Sequence, residues 1–129
     1  MHDNLIVMQR FLAIGLIAVA ICTGIVLLLM QRNPVAVPSA EIILTDKGFE
    51  PNEVTVVKGG TVTFRTTMNE QYWPASNLHP DHTIYPEFDS KQPVSPDQEW
   101  LFTFDRLGSW GFHDHIRSYF TGIVHVVEE

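Results

Sequence analysis

One stretch of this chain narrows its folding options more than any other. Residues 11–30 read FLAIGLIAVAICTGIVLLLM, twenty consecutive residues without a charge. As a helix rising ~1.5 Å per residue they span ~30 Å, the thickness of a bilayer's hydrocarbon core. Arg10 and the Gln31-Arg32 pair flank the block. A cleaved secretory signal is the alternative, but its apolar region is usually ~7–15 residues. A small-residue cleavage site is also poorly matched at Pro38-Ser39-Ala40, and Ile21 before Cys22 argues against a lipoprotein signal. The expectation is a stub at residues 1–10, a retained transmembrane helix at 11–30 and a Pro-containing linker at 31–40. One Arg stands on each side of the block, so charge bias barely sets the orientation. The short stub favours an N-terminus inside and residues 33–129 on the extracytoplasmic face, periplasmic or extracellular, of the cell membrane.

Beyond the linker the chain carries 6 Lys and Arg against 14 Asp and Glu, a net of −8. Such a charge suits a solvated domain and disfavours nucleic acid, whose binders cluster cations against the phosphates. The only cysteine, Cys22, lies in the apolar block, where a small lipid-facing residue is the plain reading. No internal disulfide and no cysteine-pair metal site can therefore form within one chain.

After residue 40 no segment has helical periodicity. Short β-rich runs occur instead at residues 42–44, 54–57, 61–67, 99–105, 109–115 and 122–128. Lys58-Gly59-Gly60 reads as a turn between two of them, and residues 69–98 as a long irregular connection holding His79 and His82. Six or seven strands in ~90 residues, with no helix, predict an all-β sandwich over residues 41–129.

In order, VTVVKGGTVTF, then His82-Thr83-Ile84, then WLFTFDRLGSWGF and TGIVHVV resemble a cupredoxin, the small plastocyanin-like copper fold. The resemblance covers residues 41–127 and implies a Greek-key sandwich. An anchor followed by such a domain is similar in layout to oxidase subunit II proteins. The family's His, Cys, His and Met copper ligands are only partly matched. His82 falls at the first His; ungapped counting from Gly108 to Gly122 puts Asp114 at the Cys, Arg117 at the second His and Phe120 at the Met. With Cys22 as the sole cysteine, a blue thiolate centre is excluded.

Imidazoles remain. His113 and His115 flank Asp114, and residues two apart on a strand share a face, opposite to Trp110, Phe112 and Asp114. His79-Pro80-Asp81-His82 supplies two more. The two motifs resemble the HPxHxH and HCH of multicopper oxidases, with Ile84 at the third His and Asp114 at the Cys. The candidate metal ligands are thus His79, His82, His113 and His115, and copper(II) leads the affinity order for imidazole donors. An ion held without thiolate would be a type 2-like, weakly coloured centre. Two registers stay open. In one, His82 points inward beside Asp114; in the other, His79 takes the first position and His82 points toward His113 and His115.

Asp81, Glu87 and Asp114 are near enough in sequence to support such ligands. Trp73, Tyr85, Trp100 and Trp110 could shield them or pack in the core. Tyr119 and Phe120 read as loop packing, and His125 as an outward strand residue. Two functions compete: a membrane-embedded copper protein, with facing subunits of a homo-oligomer able to share a site, or a metal-free interaction subunit of a membrane complex. The second would use an Asp114–Arg117 pair where metal once stood.

Overall fold

In the computed structural model, the described residues are Gly15, residues 21–24 and residues 35–129. Gly15 and residues 21–24 are helical, and no helix among the described residues is long and apolar enough to cross a membrane. The expected stub at 1–10, the rest of the span at 11–30 and the linker as far as residue 34 lie outside the described residues.

Seven strands build the described residues 35–129 into one compact unit. They are β1 (Val37–Thr45), β2 (Gly48–Glu50), β3 (Glu53–Thr66), β4 (Pro74–Ser76), β5 (Trp100–Phe104), β6 (Gly108–Asp114) and β7 (Thr121–Val127). Strand β1 starts at Val37, so the last four residues of the expected linker are already sheet.

The longest strand, β3, serves both layers. Its first part, Glu53 to Val57, runs parallel to β7, which continues through β6 to β4. Its second part lies between β1, in parallel, and β5, antiparallel, with Phe64 opposite both Ile42 and Trp100. The change of layer comes at the two glycines. Gly59 has φ +84°, and a Cβ on Gly60 would lie 2.7 Å from the Val57 carbonyl oxygen, so side chains are strained at the first and have no room at the second. The expected turn is therefore a bend inside a continuous strand.

Between the layers, alternate residues of each strand meet. Ile42, Leu44, Val56, Val62, Phe64, Phe104, Phe112 and Val124 are all fully buried. The irregular connection adds to this core, since Tyr72, Tyr85 and Phe88 are buried as well. The Phe88 ring packs 4.8 Å from Phe104 and 5.7 Å from Phe112. Tyr85, Trp100 and Trp110, considered above as shields, belong to this aromatic packing: Tyr85 meets Trp110 at 4.9 Å, and Trp100 stacks on Phe88 at 5.8 Å.

A four-histidine cluster on the outer face of β6

Strand β6 explains why two of the histidines leave the core. Phe112 points between the layers, 4.8 Å from Phe49, so His113, the next residue, points to the opposite side of the sheet. There it does not meet solvent, because β4 pairs alongside with Ala75 opposite His113. Past Ser76 the chain stays close, Asn77 N donating to Gly111 O at 3.0 Å, and then folds back over the sheet. That fold-back is a turn closed by His82 N to Leu78 O (2.6 Å) and Ile84 N to Asn77 O (2.9 Å). His82 itself has φ +52°, a left-handed conformation that histidine adopts more readily than most residues.

The result brings all four expected histidines together. One ring nitrogen from each of His79, His82, His113 and His115 lies within 4.8 Å of the others. Two nitrogens bonded to one ion at ~2.0 Å stand at most ~4 Å apart, so a closure of under ~1 Å would seat a metal. His113 and His82 are buried, His115 is half-buried and His79 is exposed, which leaves the cluster open on one side. His82 points as the second register expects: its Nε2 faces His115 Nδ1 at 2.9 Å.

Neighbours decide which nitrogen each buried ring presents. His82 Nδ1 lies 2.8 Å from Asp89 Oδ2, and a carboxylate only accepts, so this nitrogen carries the proton and Nε2 keeps its lone pair. His113 Nδ1 lies 3.2 Å from Asn77 Oδ1, which likewise leaves Nε2 free, facing His79 Nδ1 at 3.2 Å. The nitrogens in mutual contact are the two Nε2 atoms of the buried rings and the two Nδ1 atoms of the outer ones. Burial, followed by the charges its neighbours His82, His79 and His115 would carry, pushes the His113 pKa down to about 4. His115 is lowered too, again by burial first. Both rings favour the neutral form that a metal requires.

The supporting carboxylate is not one of those expected. Asp81 is exposed, Glu87 pairs with Arg106 at 2.9 Å, and the fully buried Asp114 faces away from the cluster. Asp114 accepts from Trp73 N (2.8 Å) and Arg117 Nε (2.7 Å), while Arg117 also reaches Glu70 and the Gln71 carbonyl, both at 2.6 Å. The pair imagined as a replacement for metal thus lies beside the cluster and ties the 115–120 loop to the chain before β4. Asp89 is the carboxylate at the rings. Burial opposes its ionisation, but the Trp73 indole, the Lys91 N–H and His82 all donate to it and hold its pKa down at about 2. Of the aromatic shields, Trp73 alone reaches the cluster, with its ring 4.4 Å from His115. Phe120 packs against the core, and Tyr119 is exposed. His125 stands apart from the cluster, between Ser109 Oγ (2.7 Å) and Glu53 Oε1 (2.8 Å).

No protein-family model and no curated protein matches this sequence. Solved structures do match the fold. A purple cupredoxin from Nitrosopumilus maritimus superposes with a TM-score of 0.59 at 19% identity, over 67% of this chain and 98% of that one. A mutant amicyanin in its reduced Cu(I) form gives 0.58 at 20%, over 71% and 85%. A copper-containing nitrite reductase from Thermus scotoductus SA-01 gives 0.58 at 19%, over 75% of this chain and 26% of that one. The fold is therefore an all-β, cupredoxin-like sandwich, with a histidine cluster able to hold a metal ion on its outer face.

Proposed function

We propose that this chain is a membrane-anchored, extracytoplasmic copper protein whose ion is held by His79, His82, His113 and His115 without sulfur. One observation carries the reading: four imidazole nitrogens converge within 4.8 Å, two of them with their lone pairs fixed inward by hydrogen bonds to Asp89 and Asn77. The cupredoxin-like fold, with copper-containing proteins of the same architecture, makes copper the first ion to test. The HPxH and HxH motifs are similar to half of a multicopper-oxidase site, and the apolar run at residues 11–30 supplies the anchor.

The residues divide the work. His113, kept neutral chiefly by its burial, favours the ion over protons, and the buried His82 stands beside it. His115, under the Trp73 ring, closes one flank, and the exposed His79 leaves the other open to water and small ligands. A type 2-like copper there would supply one-electron redox chemistry to a ligand that reaches it. The same openness suits storage and hand-over of the ion, since His79 can exchange without unfolding the sheet. Fast outer-sphere electron transfer is disfavoured, because no thiolate fixes a geometry acceptable to both oxidation states.

Titrating the full chain with Cu(II) should give one tight site, lost in the His113→Ala/His115→Ala variant, with affinity falling as pH drops below ~6. Equal binding by parent and variant, or none by the parent, overturns the reading. In the latter case the buried Asp114–Arg117 pair favours a metal-free interaction subunit of a membrane complex.

A further inference from the structure

Among the described residues, Asp89 is the one carboxylate hydrogen-bonded to a ring of the cluster. Its side chain is 8% exposed. It accepts from His82 Nδ1 at 2.8 Å, Trp73 Nε1 at 2.7 Å and Lys91 N at 2.7 Å, while the Lys91 ammonium stands 3.3 Å from the oxygen that His82 uses. The position is built into the fold: Ala75 and Asp89 form a β-bridge, and Ser76 N and Ser90 N make backbone hydrogen bonds across it to Phe88 O and Pro74 O. Trp73, steered by the same carboxylate, packs on His115, so one anion orients material on two sides of the cluster.

Four neutral imidazoles give a bound ion no charge compensation. A carboxylate behind one of them does, and it acts more strongly on the ion with the larger charge. The hydrogen bond also draws the His82 Nδ1 proton toward oxygen, which makes Nε2 a more basic donor. Burial of Asp89 keeps both effects from being screened by salt. Resting on the copper reading above, we propose that Asp89 sets the oxidation-state preference of the four-histidine site, favouring Cu(II) over Cu(I) through the Nδ1–H of His82. Lys91, whose side chain is 66% exposed, moderates the same charge from outside. Asp89 is a positioning residue and does not itself touch the ion.

Asp89→Asn removes the charge together with one of the two acceptor oxygens, whereas Lys91→Gln alters the charge alone, at an exposed position. In the full chain, Cu(II) and Cu(I) dissociation constants are measured against competing chelators. The ratio favouring Cu(II) should fall about tenfold in Asp89→Asn, a rise of about 59 mV in the potential of this one-electron couple. In Lys91→Gln the ratio should move the other way. Nitrogen NMR of the metal-free parent should find the His82 proton on Nδ1, a readout that needs neither copper nor a variant. A ratio unchanged in Asp89→Asn, a shift of the same sign in both variants, or a proton on Nε2 overturns this inference alone. A parent that binds neither ion overturns it together with the proposed function.

Discussion

At His113, burial and three neighbouring imidazoles bring the pKa down to about 4. The unfolded chain would take up that proton near ~6.5. Because the folded value is the lower one, the stability contributed by a neutral His113 is complete above ~6.5 and is lost as pH falls toward about 4. The metal-free chain should therefore resist denaturant less at pH ~5 than at pH ~7, with the His113 ring resonances titrating near 4. A midpoint near ~6.5 would contradict the burial argument. The HxH pair was legible in the sequence because a strand repeats every two residues, and His115, one residue past the end of β6, still joins His113 in the cluster. Asp89 and Asn77 were not. Asp89 reaches His82 because residues 88–90 run beside β4, and Asn77 reaches His113 because its backbone follows β6. Such pairings between distant segments leave no motif, and Asp81, Glu87 and Asp114 were nearer in sequence while pointing elsewhere.

Strand β6 meets the loop after β4 closely at Gly111. A Cβ on Gly111 would lie 2.6 Å from the Asn77 amide nitrogen. That nitrogen ends a rotatable side chain, so Gly111→Ala should fold while the amide swings away from His113. Losing such an outer partner typically costs 10–100-fold in metal affinity, and we expect a drop of about tenfold with the sheet's circular dichroism unchanged. Parent-like affinity would show that Asn77 does not orient the ring. The connection between β4 and β5 shows where local reading stops. Its irregularity was legible from its prolines, but the burial of Tyr85 and Phe88 was not, because a loop has no period to mark which residues turn inward. The paired glycines at 59 and 60 suggested a turn between two strands, but they lie within the single strand β3. That they make a bend follows from β3 pairing with β7 before it and with β1 and β5 after it.

Across the whole domain, packing of the two layers buries phenols that ordinary tyrosines leave free. The single Tyr72 hydroxyl proton is shared between Phe64 O (2.7 Å) and Gln98 O (2.9 Å), and Tyr85 donates to Asp105. Burial, the largest cause for both, pushes each pKa up to about 12. The folded values exceed the unfolded ~10, so this stabilisation is full below ~10 and is lost as pH rises through about 12. Ultraviolet titration should find these phenols ionising together with loss of the sheet, and ionisation near ~10 in an intact fold would contradict the packing. The sandwich itself was legible in the order of alternating runs and turns. Where on the sandwich the histidine cluster sits was less so, because the core takes Phe112 and leaves the next residue, His113, to the opposite face of β6. The central claim, a copper ion bound by nitrogen alone on that outer face, is tested most directly by X-ray absorption at the copper edge of the loaded full chain. We predict about four imidazole nitrogens at ~2.0 Å and no sulfur, whereas a sulfur shell at ~2.3 Å or the absence of imidazole scattering would contradict it.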